Sequence, residues 1–365
     1  MSDAPLTIAG MGAVTPVGLS APATCSALRA GIARMNLLEG WSDGGPLPEP
    51  PFAAGRVPLE WLQPDFPYAW PGHEKMKLPE PQPHLLVAPG AERLLELAIP
   101  AAEEAWGRAG YAGQRGPGVG LYLGLDESDE GTPVAEAIAG ALGVRFELVR
   151  RDRFGRAAGL AALHRAARHL RDDRVRVAIV GGVDSLLRRG PVARLLEQGR
   201  LKHDEMPHGV IPGEAAAFVV LQADAGRGRV SLEYSAVAEE ETARTGEPCR
   251  GVGLTRVLRE TGAKLPEYPH VVCDLNGERY RHMEWGLASV RALGKVGKRP
   301  GGPAETDLRH PADCIGDAGA ASGLVNVVWA ATAIRKGYAR SDRALVWGAS
   351  DGVLRAAVTL ALDAN

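Results

Sequence analysis

No apolar run in this 365-residue chain reaches the ~18 residues that would suggest a membrane span. The opening MSDAPLTIAGMGAVTP has neither a basic leader region nor a long apolar one. An excess of one charge is missing too: 42 Lys and Arg face 44 Asp and Glu, a formal net charge of −2. That balance gives no global attraction to nucleic acid or to an anionic membrane, and the interleaved charges read as a solvated surface. Cysteine is scarce. Cys25, Cys249, Cys273 and Cys314 stand far apart with no C-x-x-C pair, which argues against a disulfide framework or a zinc knuckle. The nine histidines show no H-x-x-x-H or H-E-x-x-H spacing, and His164 and His169 face different ways on one helix. GMGAVTPVG (10–18) lacks G-x-G-x-x-G and a P-loop lysine. The expectation is a cytoplasmic protein of a reducing compartment, with no cofactor, no metal, no nucleic acid and no membrane as partner.

What is present is a large apolar fraction, 45 %, enough for one large domain or two fused halves. LTIAG (6–10) reads as a strand, and a helix capped by Ser20 follows near 21–34. Residues 41–90 differ: Trp41, Trp61 and Trp70 stand among many prolines, as in an irregular insertion whose tryptophans pin it to the surface or meet a partner. Helices are expected over 91–110, interrupted by Pro100, and over 132–143, 157–171, 193–201, 253–262 and 314–337. Strands are expected over 118–125, 146–151 (an edge), 176–182, 213–224, 229–240, 270–278, 344–352 and 354–362.

An internal repeat runs through this order. AAGL (157–160) recurs as ASGL (321–324), each inside a helix followed by a basic turn and an apolar strand. The two strands end alike, in Gly181-Gly182-Val183-Asp184 and Gly348-Ala349-Ser350-Asp351. Two such halves would stack as an α/β fold in layered αβαβα order, with small residues letting the central helices approach between the sheets.

The motifs resemble those of the thiolase superfamily, and of the β-ketoacyl synthases within it, in order over nearly the whole length. IAGMGAVTPVG (8–18) is similar to their N-terminal strand and loop, RAAGLAAL (156–163) to their nucleophile region, and AIVGGVDSLL (178–187) to the strand after it. VIPGEAAAFVVL (210–221) is similar to their G-E-G-A strand. CDLNGE (273–278) and CIGDAGAASGL (314–324) stand where their two histidine motifs lie, and WGASDG (347–352) resembles their last Gly-rich turn. The resemblance implies a thiolase fold with an N-terminal half over 1–225, carrying the insertion at about 41–90, and a C-terminal half over 226–365. It also implies a homodimer, paired through the strand FELVRR (146–151).

The family's condensation needs a thiolate at a helix start, two histidines that donate to the thioester oxygen, and a supporting lysine. By the resemblance these positions fall on Arg156, Asn276, Asp317 and Ala312. Guanidinium is permanently charged and no nucleophile. Asn276 can still donate a hydrogen bond, but an ionised Asp317 only accepts. Four replacements at chemical positions argue for a pseudoenzyme with no catalytic residue. Two outcomes stand for Arg156: a buried cluster with Asp317, or a side chain that reaches solvent. The polar run DLNGERYRHMEWG (274–286) offers candidate binding residues Asp274, Asn276, Glu278, Arg279 and His282, with Asp351 nearby, against the reading of a solvated surface segment. GASDG (348–352) matches G-x-S-x-G, but no histidine follows it, the last being His310.

Three functions follow as expectations. The first is a non-catalytic binding or scaffold protein. Its resemblance to degenerate ketosynthase-like proteins of type VI secretion effector clusters implies an accessory or adaptor in effector loading. The second is an acyltransferase or ketosynthase homologue of altered chemistry. The third is a chain-length-factor-like partner of an active ketosynthase.

Overall fold

The computed structural model describes residues 5–38, 40–41, 47, 49–58, 90–113, 118–128, 133–224, 228–243, 245–262, 265–266, 269–293 and 306–363. Strand β1 (Leu6–Val14) leads to α1 (Ala21–Ala30), where Ser20 Oγ accepts the Ala23 amide at 3.4 Å as the expected cap. The two-residue strands β2 (Asn36–Leu37) and β3 (Ala53–Ala54) pair with each other. Then come α2 (Glu92–Arg108), β4 (Val119–Leu125), α3 (Val134–Leu142), β5 (Leu148–Arg153), α4 (Ala158–Arg171), β6 (Val177–Ser185), α5 (Arg189–Glu197) and β7 (Glu214–Ala223). The remainder is β8 (Val230–Glu239), α6 (Val252–Thr261), β9 (His270–Cys273), α7 (Arg279–Leu293), β10 (Asp307–Arg309), α8 (Ala312–Ile315), α9 (Ser322–Arg335), β11 (Arg343–Ala349) and β12 (Leu354–Leu362).

The strands lie in the order β10-β9-β11-β12-β8-β1-β7-β6-β4-β5. Each flank repeats one pattern. β4, β5 and β6 are parallel, and β7 and β1 add antiparallel; β9, β10 and β11 are parallel, and β12 and β8 add antiparallel. The flanks meet at a short seam, Leu6 opposite Leu232 and Thr7 opposite Ser231. One ten-stranded sheet with a narrow waist thus stands where the sequence suggests two sheets. The helices sort into layers around it. Apolar residues of α2 and α3 pack on the outer face of the first flank, those of α6 and α7 on the outer face of the second, and α1, α4 and α9 fill the space between. This is the expected layered α/β architecture.

The repeat has a steric cause. A Cβ on Gly159 would stand 2.2 Å from Leu324 Cδ2, and one on Gly323 would stand 3.0 Å from Leu160 Cγ. Glycine in each motif makes room for leucine of the other, so α4 and α9 approach closely over AAGL and ASGL. Loss of a helical hydrogen bond at Pro100 costs ~3 kcal/mol, yet α2 runs through it. Leu97, Ala98, Ala101, Ala102 and Ala105 are fully or almost fully buried along it, and Gly10 and Gly12 of β1 let its backbone come within contact. That burial outweighs the break the sequence suggests.

Other expectations need correction. The helix expected over 314–337 is three pieces: α8, a 3₁₀ turn at Gly319–Ala321, and α9. Gly316 and Gly319, at φ +72° and +52°, break it. The helix expected over 193–201 starts a turn earlier and ends at Glu197. The strand of 270–278 stops at Cys273, and most of 274–286 is helical rather than loop, since α7 begins at Arg279. Trp41 is buried and donates to the Leu187 carbonyl at 2.9 Å, which fixes the start of the insertion to the body of the protein. Trp61 and Trp70 lie outside the described residues. Among the described residues no helix is long and apolar enough to cross a membrane.

Candidate functional site

The site sits where α4 and α9 begin. Each helix is preceded by a 3₁₀ turn, Gly155–Ala157 and Gly319–Ala321, whose first residue has positive φ (+65° and +52°) and so suits glycine. The turns are capped crosswise. Asp184, near the end of β6, accepts the Ala320 amide at 2.9 Å, and Ser350, just past β11, accepts the Ala157 amide at 3.1 Å. Each flank of the sheet therefore holds the helix of the other.

Arg156 lies in the first turn with 5 % of its surface exposed, so the solvent-reaching reading fails. Its Nε donates to Asp317 Oδ2 at 2.7 Å and its Nη1 to Asp351 Oδ1 at 2.6 Å. Asp317 also caps the second turn, accepting the Gly319 amide at 2.9 Å, and takes a bond from Asn276 Nδ2 at 2.5 Å. Asn276 reaches on to Glu278, which accepts from Arg200 Nε at 2.7 Å and Arg281 Nε at 3.1 Å. Arg200 and Arg281 both return to Asp351, each at 2.7 Å. Asp274 closes the group, 3.6 Å from Arg281 Nη1 and accepting the Ala349 amide at 3.0 Å. Three guanidinium groups thus meet four carboxylates.

The network sets its own charge states. Burial works against the Arg156 cation, but Asp317, Asp351 and Glu278 outweigh it and hold the guanidinium well above its ordinary value. Burial likewise opposes the Glu278 and Asp351 carboxylates. Contact with Arg200, Arg281 and Arg156 overrides it, so both stay far below the usual carboxylate range. Asp274 is the exception: burial pushes it up to about 6, with Arg281 and the Ala349 amide pulling back.

Of the sequence-based candidates, Asp274, Asn276, Glu278 and Asp351 converge with Arg156 and Asp317. Arg279 and His282 do not: both are exposed on α7, turned away by the helical period. The reading of 274–286 as a solvated surface segment is overturned for Asp274, Glu278, Arg281 and Glu284, all buried. Ala312 lies on α8 beside a void of about 10 Å³ shared with Asp274, Asp317 and Asn326, a space about the size of one water. Sequence reasoning missed Arg200, whose partners lie 78 and 151 residues away, and the fully buried Arg355, which binds Glu284 at 2.6 Å. No signal in the sequence marks either: alternation along β12 sets Arg355 opposite Leu354, Val358 and Leu360, on the less apolar face. Ser350 of the G-x-S-x-G match is buried, bonds to the Phe154 carbonyl and the Ala157 amide, and precedes a strand, so it is no exposed elbow. Beside the network a cavity of about 180 Å³ is lined by Gly155, Arg156, Arg200 and Asp351 with the apolar Leu186 and Leu195.

Two flanks of one topology, joined by crossed caps at paired helix starts, invite comparison with known proteins. Residues 156–225 match the beta-ketoacyl synthase N-terminal domain. The fold is that of the ketosynthases. The ketosynthase from module 6 of the bacillaene synthase of Bacillus subtilis 168 superposes with a TM-score of 0.72 at 17 % identity, over 99 % of this chain and 72 % of that one. A beta-ketoacyl synthase from Burkholderia phymatum STM815 gives 0.73 at 16 %, over 98 % and 99 %. The ishigamide ketosynthase/chain length factor gives 0.64 at 18 %, over 98 % and 99 %. No curated protein matches by sequence. Identities this low carry the fold and not the chemistry.

Proposed function

We propose that this chain has the ketosynthase fold without its condensing chemistry and works by binding another protein. The observation that carries the reading is Arg156, a buried guanidinium tied into an ion network where the resemblance puts the acyl-accepting thiol. No nearby sulfur replaces it. Burial raises the thiols of Cys273, at the end of β9, and Cys314, on α8, away from the reactive thiolate form. Asn276 donates its amide to Asp317 and Glu278, and Asp317 accepts from Arg156 and Asn276, so neither is available to donate to a thioester oxygen.

The finer role we propose, on the resemblance alone, is that of an accessory or adaptor in type VI effector loading, working as a homodimer through the edge strand β5. A chain-length-factor-like subunit is the second reading, favoured by the likeness to the ishigamide ketosynthase/chain length factor. Its pairing with a ketosynthase would show as a stable one-to-one complex on co-expression.

Incubation with an acyl coenzyme A or an acylated carrier protein, followed by intact-mass spectrometry, is the direct test of lost chemistry. The mass of the chain should not change. A stoichiometric acyl adduct on any cysteine, Cys314 included, would sink the reading.

A further inference from the structure

A second cavity, of about 780 Å³, opens along α1, where the C-terminal ends of α2 and α9 meet it beside β1. α9 is 14 residues long, which puts this hollow about 20 Å from the Asp317 network at the helix's other end. Its volume falls in the range of small-molecule sites. Its floor is Ile8, Met11, Ala21 and Cys25, all buried. Its exposed rim carries Arg29, Arg108, Arg335 and Lys336, and among the described residues the lining includes no carboxylate. That is a local departure in a chain whose 44 acidic residues outnumber its 42 basic ones.

One anion, Glu104, is bonded to the lining residues Ala21 and Arg108. Glu104 accepts from the Ala13 amide at 3.1 Å, the Ala21 amide at 2.8 Å and Arg108 Nε at 2.8 Å, so its charge is committed. The C-termini of α2 and α9 add about half a negative charge each, while α1 lies along the hollow with both its ends and adds little on balance. Set against four cations, Glu104 and the two termini leave a surplus of more than one positive charge. Arg335 and Lys336 form no ion pair among the described residues, and Arg29 lies over the Tyr338 ring, 4.5 Å from its centre. Convergent guanidinium groups suit phosphate oxygens, to which they donate in pairs.

We propose that this hollow binds a phosphate-bearing small molecule of two or more negative charges, the phosphates on the Arg29–Arg335–Lys336 rim and the organic part over the apolar floor. The inference is independent of what the Arg156 network does.

Calorimetric titration at low salt with inorganic pyrophosphate, ADP and adenosine tests it. Pyrophosphate and ADP should bind, adenosine should not, and added salt should weaken binding. ADP should bind more tightly than pyrophosphate, and equal binding would overturn the placing of an organic part over the apolar floor. Arg335→Ala combined with Lys336→Ala should weaken both anions by about tenfold or more, while Arg256→Ala, an exposed cation on α6, should leave them unchanged. Ser26→Glu, which puts a carboxylate in the lining of the cavity, gives a second variant should the first fold poorly, and should also abolish binding. Absence of binding at about 10 mM anion, adenosine binding as well as ADP, or equal affinity in the rim variants and wild type would overturn the proposal.

Discussion

Asp184 and Asp351 occupy corresponding places, one near the end of β6 and the other just past β11, each facing the 3₁₀ turn of the opposite flank. Their chemistry is opposed. Asp184 is wholly buried, accepts two amides and has one cation beside it, Arg188 at 3.3 Å; burial pushes it up to about 6. Asp351 receives Arg156, Arg200 and Arg281, which overcome burial and hold it far below the ordinary range. The turns they face differ in the same way: Gly155-Arg156-Ala157 carries a guanidinium, and Gly319-Ala320-Ala321 carries nothing longer than a methyl group. The frame requires a glycine of positive φ, a cap and a small residue in the helix. It leaves open the position between, and whatever stands there decides which charges gather around it.

The largest effect should come from removing the side chain that makes the two turns different. Arg156→Met leaves Asp317 buried without its cation, and breaking a buried pair this way costs ~3–5 kcal/mol. Adding Asp317→Leu should recover part of the loss. Denaturant unfolding at fixed protein concentration gives the double-mutant cycle, and additive effects would mean the pair is not coupled.

Next in size is a pH effect of opposite sign at the two aspartates. A carboxyl raised to about 6 when folded, against an ordinary value of 3.8, binds more protons folded than unfolded between those values. Its stabilising contribution is complete below about pH 4 and is lost as pH rises to about 6, by roughly 3 kcal/mol. Asp184→Asn should therefore flatten the fall in stability over that window. Asp351, being lowered, contributes stability above about pH 4 that is lost on acidification. Asp351→Asn should flatten the acid limb instead, and the two variants exchanging roles would refute the contrast.

The smallest effect separates the two glycines. Alanine at Gly155, with nothing within 4 Å of its Cβ, bears only the left-handed backbone, ~1–2 kcal/mol. Alanine at Gly319 bears that and a Cβ 2.1 Å from Asp184 Oδ2. Thermal unfolding should show Gly319→Ala to be the more damaging by ~1 kcal/mol or more.

The sequence disclosed the frame because the frame is made of local signals. The AAGL and ASGL motifs, the Gly-x-x-Asp strand ends and the Ser20 cap are each legible within four residues. The network was legible only by half. Arg156 and Asp317 stood out against the family pattern, and their contact is direct. Arg200 and Arg355 did not, because an arginine's burial depends on carboxylates that chain folding brings from far away. The polar run 274–286 looked solvated for the same reason: nothing within it tells that Arg281 will meet Asp351 or that Glu284 will meet Arg355. Pro100 misled in the other direction, since a local rule about helices yields to the burial of a whole face.

The crossed caps bear on how the protein is made. The turn that starts α4 leaves the ribosome well before the residues that hold it, with Ala157 and Ser350 lying 193 residues apart and Arg156 and Asp351 lying 195 apart. Until that later segment arrives, an arginine destined for the interior has no partner and cannot be enclosed. The first flank of the sheet therefore cannot settle as a finished unit during translation, and neither flank should persist as a soluble fragment alone. Supplied together as separate pieces, they should recover the native state only by association.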